Sequence, residues 1–495
     1  MKYYQRQKGN QLILATVIIT IIAMLGTSSA SLLMIEIKKT KEKVSRERAF
    51  EIAESGAEYY RWHLAHVSDD FQDGTGGPGP YVHDFKDSSG VVIGRYSLNI
   101  TPPQSGSTVV TVESTGYLLD NPNRKRKVTA KFGIPSLASY AAAADDVMRF
   151  GAGTEVFGPI HSNNGIRFDG LAHNLVTSYV SSYDDPDSDD CNGNNSFGVH
   201  TCLPPADPSP PAAVPSRTDV FSAGRQFPAT RIDFAGITTD LSNMDTLSQP
   251  PNGLNLGSSG TSGFHIRFNA NDTMNIYKVD TLANCQTRRR LSDPWQTAYS
   301  NQYSINTESS FILNGQSSLN YPYPPNGIIF AKDDVWIDGQ INSARLTVIA
   351  ARDPLATGNA TIIINNDLTY TNYDGQDALG LIAQTDISVG FYSDTDLRID
   401  AALIAQKGRV GRYYYNPTNP PAGWYYNPAG CRNNIWKNSI ITFGSLVTSR
   451  RYGFAYTNGT GYNLRTLNFD SNLTFAPPPS FPTTGQYTLL SWEEK

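Results

Sequence analysis

Gln11–Ile35 reads QLILATVIITIIAMLGTSSASLLMI, and this stretch fixes how the remaining chain must be read. It is uncharged, and twelve of its residues are Leu, Ile or Val. Roughly 25 residues rising ~1.5 Å each exceed the ~30 Å hydrocarbon core of a bilayer, so the segment is long enough to span one. A short basic leader, Lys2, Arg6 and Lys8, precedes it and ends at Gly9. No small-residue cleavage site closes the apolar run, which argues against a secretory signal peptide. Basic residues lie on both sides, with Lys38, Lys39, Lys41 and Lys43 following, so charge bias alone does not orient the span.

Working outward, Ala49, Ala53, Ala57, Tyr60 and Leu64 recur at helical spacing. Lys38–Val67 is therefore expected to continue the span as a helix with an Ala-rich stripe. The stripe suits packing on the chain's own following sheet and also on helices of partner subunits.

The run from Gln5 to Gly26 followed by Arg48–Tyr60 (RAFEIAESGAEYY) resembles the N-terminus of PilX-like type IV pilus minor pilins. The resemblance covers about the first 65 residues. It rests on a basic leader ending in Gly, an apolar helix, and the Ala53-Glu54-Ser55-Gly56-Ala57 phrase. It implies an N-terminus in the cytoplasm, an inner-membrane location with the bulk extracytoplasmic, cleavage by a prepilin peptidase after Gly9, and methylation of Asn10. It also implies other pilins and the pilus assembly machinery as partners. Leu14 stands at the fifth position after that cut, where major pilins carry Glu. The departure resembles minor, tip-located pilins and puts bulk polymerisation in doubt.

After a Gly/Pro break at Asp73–Pro80, the runs Val91–Ile100, Val109–Leu118 and Lys125–Phe132 alternate apolar and polar residues between turn residues. They read as a small antiparallel meander within residues 81–135. Arg124–Lys127 reads as a solvated, charged edge.

The larger part carries a diffuse repeat. Ile160–Gly170 (IHSNNGIRFDG) matches Ile329–Gly339 (IFAKDDVWIDG), with further copies beginning at Ile349, Ile382, Ile404 and, weakly, Leu446. Steps of about twenty residues punctuated by Gly, Asn and Asp suggest rungs of a parallel β-helix over 136–495. A β-sandwich is the runner-up. The register is lost between Leu171 and Tyr323, which reads as long insertions. The tail, Asn468–Lys495, is expected to run along the rungs and cap their end. Phrases such as DALGLIAQ, a second ALIAQ and PPPSFP also resemble large C-terminal domains of some PilX-like proteins. The expected class is α+β, mostly β: a leader and helix over 1–67, a small antiparallel sheet, and a large parallel β-helix.

Composition supports export and β-structure. Charged residues make up 17% of the 495, with 27 Tyr, 41 Gly and 30 Pro. Net charge of −5 argues against nucleic acid as a partner. Cys191 and Cys202 lie close together in one polar loop, so they are the expected pair in an oxidising compartment. The four cysteines, with Cys285 and Cys431, nonetheless allow three pairings among which the sequence does not choose. None has CxxC or His spacing, so zinc is not expected.

Chemistry is sparse. Asp184–Asn195 places Asp185, Asp187 and Asp189 in alternation, as calcium ligands can be, but Asp190 and Ser196 stand where an EF-hand needs Gly and Glu. A solvated acidic loop is the competing reading. His161 and His173 flank the first repeat, and a structural role fits them better than ligation. Asp333, Asp334, Asp338, Asp386 and Asp400 follow the rung register and read as turn corners, although clustered Asp also serves polysaccharide-active β-helices. No phosphate-binding or nucleophile motif occurs. The leading expectation is a non-catalytic structural protein of pilus assembly or surface attachment, contacting surfaces, pilins or carbohydrate. The alternatives are a membrane-anchored polysaccharide-active enzyme and a calcium-dependent adhesin.

Overall fold

The computed structural model describes residues 8–104, 106–191, 193, 195–234, 237–299, 303–418, 420 and 423–495. The basic leader residues Lys2 and Arg6 lie outside them. The chain divides into two compact units, Met1–Gln104 with Val109–Gly133 and Gly485–Lys495, and Ser105–Thr108 with Ile134–Thr484.

In the first unit, helix α1 (Lys8–His66) is continuous, merging the expected span and the expected Ala-striped helix. It has two regimes. Every residue from Asn10 to Lys41 is exposed. From Ala49 onward one face is buried: Ala49, Ile52, Ala53, Ala57, Tyr60 and Leu64 are each at most 3% exposed. That face lies on an antiparallel sheet ordered β1 (Tyr81–Lys86), β2 (Val92–Thr101), β3 (Val110–Leu118), β4 (Asn121–Gly133) and then the C-terminal strand Thr488–Glu494. Small residues set the approach. A Cβ on Gly116 would sit 2.3 Å from the Ala49 carbonyl oxygen and 2.4 Å from the Ala53 nitrogen. A Cβ on Gly56 would sit 2.3 Å from Ser114 Oγ. The Ala stripe thus packs on the chain's own sheet.

Three expectations are corrected here. The strand Tyr81–Lys86 was not foreseen. The tail does not end as a cap, because Trp492 pairs with Ala130 and Glu494 with Val128. For the same reason β4 is not an edge. Arg126 meets Glu494, Lys127 Nζ lies 2.7 Å from Glu113, and Arg124 lies 3.6 Å from Glu42.

The second unit is β-rich. A 21-stranded sheet dominates it, with smaller sheets beside it. One run of parallel pairings joins Leu254, Ile329, Val348, Leu381, Leu403, Leu446, Ala142, Ile160 and Val176 in one column. Those side chains belong to one contiguous core. The next column is Asn255, Phe330, Ile349, Ile382, Ile404, Val447, Ala143, His161 and Thr177. Its apolar members from Phe330 to Val447 form a second core with Leu241 and Met244 of helix α2 (Ile237–Leu247) and with Leu473 and Phe481. The strands are covered on both faces, so they are continuous apolar runs.

The repeat is in register where Ile349, Ile382 and Ile404 share a column, and where Ile160 and Ile329 share another. The copies begun at Ile329 and Leu446 are one residue out against the Ile349 group, whose partners are Phe330 and Val447. Register is not lost between Leu171 and Tyr323. Leu171–Ala172, Val176–Ser178, Arg225–Gln226, Leu254–Leu256 and Phe264–Asn269 all join the parallel ladders. The order in space differs from the order in sequence: the strands from 254 to 446 are followed by those from 142 to 226. The segment Ala476–Pro479 lies along the rungs, held by Arg345 on the carbonyls of Ala476 and Pro477 and by Thr347 on that of Pro479, all at 2.6 Å.

Candidate functional site

The first candidate is the exposed stretch of α1. Gly9 and Asn10, the expected processing residues, lie in its first turn, and Asn10 is exposed. Leu12, Ile13, Leu14, Ile19, Ile22 and Met24 are all more than 60% exposed. The helix is long and apolar enough to cross a membrane, with a mean hydropathy of 2.2 in its best window. Five of its hydroxyls are turned back to the helix's own carbonyls. Thr16 and Thr20 hydroxyls donate to the carbonyls of Leu12 and Thr16, and Thr27, Ser28 and Ser31 donate to those of Ala23, Met24 and Thr27, all within 3.0 Å. A helix largely apolar all round, with most of its hydroxyls bonded to its own backbone, suits lipid or a bundle of like helices.

At its other end the helix is fastened. His63 Nε2 lies 2.9 Å from Asp70 Oδ2, and His83 Nε2 lies 2.6 Å from Asp73 Oδ2. The Tyr60 hydroxyl donates to the Asp70 carbonyl at 2.8 Å. The Gln72 backbone N–H, then those of Gly74 and the His63 ring, hold the Asp70 carboxyl below its usual range.

The second candidate is the acidic loop. Asp187 accepts both terminal nitrogens of Arg451, at 2.9 and 2.7 Å. Asp189 accepts both of Arg149, each at 2.7 Å. That pairing pulls the Asp189 carboxyl down to about 2. Asp185 is buried, 3.7 Å from Arg167 and 3.5 Å from His200. Burial pushes its carboxyl up, but His200, the Asp187 N–H and Arg167 outweigh that and leave it lowered. The three carboxylates expected as calcium ligands are thus held in a network of the chain's own arginines, with Arg149 shared by Asp187 and Asp189 and Arg167 by Asp185 and Asp189. Arg149, Asp187 and Arg451 also line a cleft of about 550 Å³ with Tyr456 and Arg409.

Cys191 and Cys202 form a disulfide, and Cys285 pairs with Cys431 across 146 residues. His161 and His173 do not meet. His161 binds Thr177 at 2.9 Å and Asn163 at 3.2 Å, and His173 binds Glu155 at 2.7 Å.

The rung-register carboxylates serve neighbouring rungs. Asp338 accepts from Arg267 at 2.9 Å and Asn365 at 2.8 Å, and lies 3.2 Å from His265. Asp386 accepts from the Arg409 N–H and the Tyr413 hydroxyl, and Asp400 from the Tyr370 N–H and the Tyr373 hydroxyl. Asp333 and Asp334 share Arg352. Sequence reasoning passed over His200, which stands two residues before Cys202; that spacing was the available signal.

No known protein family and no curated protein matches the chain. Among solved structures, the competence-associated pilin ComZ from Thermus thermophilus is similar at 14% identity, with a TM-score of 0.27, covering 91% of this chain and 97% of that one. A superposition this loose does not define a shared fold, so the functional reading rests on the chain's own residues.

Proposed function

We propose that this chain is a structural, non-catalytic, PilX-like minor pilin that takes part in type IV pilus assembly or surface attachment. The observation that carries the reading is the division of α1. Its N-terminal stretch offers apolar side chains on every side, while its C-terminal part is locked on an antiparallel sheet through Ala49, Ala53 and Gly56. The first part is the segment for the inner membrane and for neighbouring pilin helices. The second makes that helix the stem of a folded head. On this reading the N-terminus is cytoplasmic, and the second unit is an extracytoplasmic parallel β-helix. The three-strand-deep recurrence of parallel pairings, for example Ile362 with Ile387 and Ile387 with Val410, supports that winding.

The test is mass spectrometry of the chain from a host with an active prepilin peptidase, together with imaging of surface filaments after deletion. A mature chain beginning at methylated Asn10 and a loss of filaments are expected. An intact leader with unchanged filaments overturns the reading.

A further inference from the structure

The loop around Cys191 holds a ligand set that the disulfide conceals. The nearest nitrogen, sulfur and carboxylate atoms of Asp190, Cys191, His200 and Cys202 all lie within 4.8 Å of one another. Tetrahedral zinc, with Zn–S of ~2.3 Å and Zn–N of ~2.0 Å, separates its ligands by roughly 3.3–3.8 Å, so the outer atoms draw in by up to about 1 Å while the two sulfurs, once reduced, part by roughly 1.7 Å.

His200 points to a cation. It is 0% exposed, and its Nε2 makes no well-formed hydrogen bond, meeting carboxylates only at ion-pair distance. That atom faces Asp185 Oδ2 at 3.5 Å and Asp190 Oδ1 at 3.9 Å. The Tyr183 hydroxyl lies 3.3 Å from Nδ1 and can accept its proton, which leaves the Nε2 lone pair for a metal. The frame is rigid. Val199–His200 pairs with Ile166–Arg167, which pairs in turn with Met148–Phe150. The Cys202 N–H donates to Asp169 at 2.8 Å.

We propose that Asp190, Cys191, His200 and Cys202 form a zinc-class cation site that loads when the Cys191–Cys202 disulfide is open. A small dithiol supplies two electrons and two protons to the disulfide, giving two thiols and an oxidised dithiol. Binding of the divalent cation then releases the two thiol protons. In the reduced chain the metal holds the loop that the disulfide holds in the oxidised one. The two disulfides differ in access: Cys191 is exposed, whereas Cys285 and Cys431 are at most 1% exposed. Mild dithiol therefore opens the first and spares the second.

The experiment uses the full chain in detergent, treated with mild dithiol and titrated with cobalt(II). One equivalent is expected, with thiolate-to-cobalt charge-transfer and tetrahedral bands that zinc displaces, and with no such bands in the oxidised chain. His200→Ala is expected to weaken binding by about 10-fold or more, and Tyr183→Phe by a smaller factor. Bands that survive unchanged in the Cys191→Ser, Cys202→Ser double variant overturn the proposal, as does a reduced, folded chain that binds no cobalt. If reduction melts the unit, added zinc is expected to restore its β circular dichroism, and failure to do so overturns the proposal equally.

Discussion

Strand β3 and the strand Ala378–Ala383 are built on different rules. β3 alternates along its whole length: Val110, Val112, Ser114, Gly116 and Leu118 are buried and the residues between them half-buried. All six residues of Ala378–Ala383 are buried. The difference lies in what covers each sheet. α1 covers one face of the small sheet. The parallel strands bury Leu381 in the main core and Ile382 beneath elements that include α2 and the 471–481 segment. The helix and the tail are therefore as much a part of the stack as its rungs, and the length of an apolar run counts covered faces.

The largest effect tests the closest contact. Gly116→Val drives a side chain into the α1 backbone, which cannot give way. It is expected to cost more than about 4 kcal/mol and to release α1 from β3, read as loss of the first unit's cooperative melt. Next, Leu381→Ala and Ile382→Ala should each cost about 2–5 kcal/mol in urea unfolding. Thr115→Ala, on the half-buried face of β3, should stay within about 0.5 kcal/mol. A cheap Ile382→Ala would break the comparison.

A smaller effect is pH-dependent. Burial, then Arg412, pulls the Lys437 amine down to about 8. The unfolded chain then binds more protons between that value and the ordinary lysine value, so stability rises with pH across this window. Between about pH 8 and about pH 10 the wild type should gain up to about 3 kcal/mol over Lys437→Met, and an equal slope in both would refute the burial argument. The smallest effect is that of calcium. Since guanidinium groups meet Asp187 and Asp189, added calcium should leave the melting temperature of the second unit unchanged, and a rise in thermal scans would contradict this.

Much of this was legible in the residues. The phrases LIAQ at 381 and 403 lie side by side, Leu381 on Leu403 and Ile382 on Ile404, because one-residue slips would exchange the two cores. The lack of alternation in these strands misled the alignment of Ile329 and Leu446, where Phe330 and Val447 are equally apolar. The spatial return of Ala142 beside Leu446 was not legible, since repeat spacing carries no information about which rungs abut. His200 was missed although it stands two residues before Cys202, because what brings it to Asp190 is the pairing of Val199–His200 with Ile166–Arg167.

The C-terminal strand has one more consequence. Thr488 pairs with Gly133, where β4 ends. Residues 134–487 are therefore one loop of a hairpin in the small sheet, and that loop carries the β-rich unit apart from Ser105–Thr108. The two ends of that loop lie side by side, as a domain insertion requires. A short turn joining Gly133 to Thr488 would yield a free-standing five-stranded head on its helix, and an unrelated domain with neighbouring termini could be exchanged at the same point.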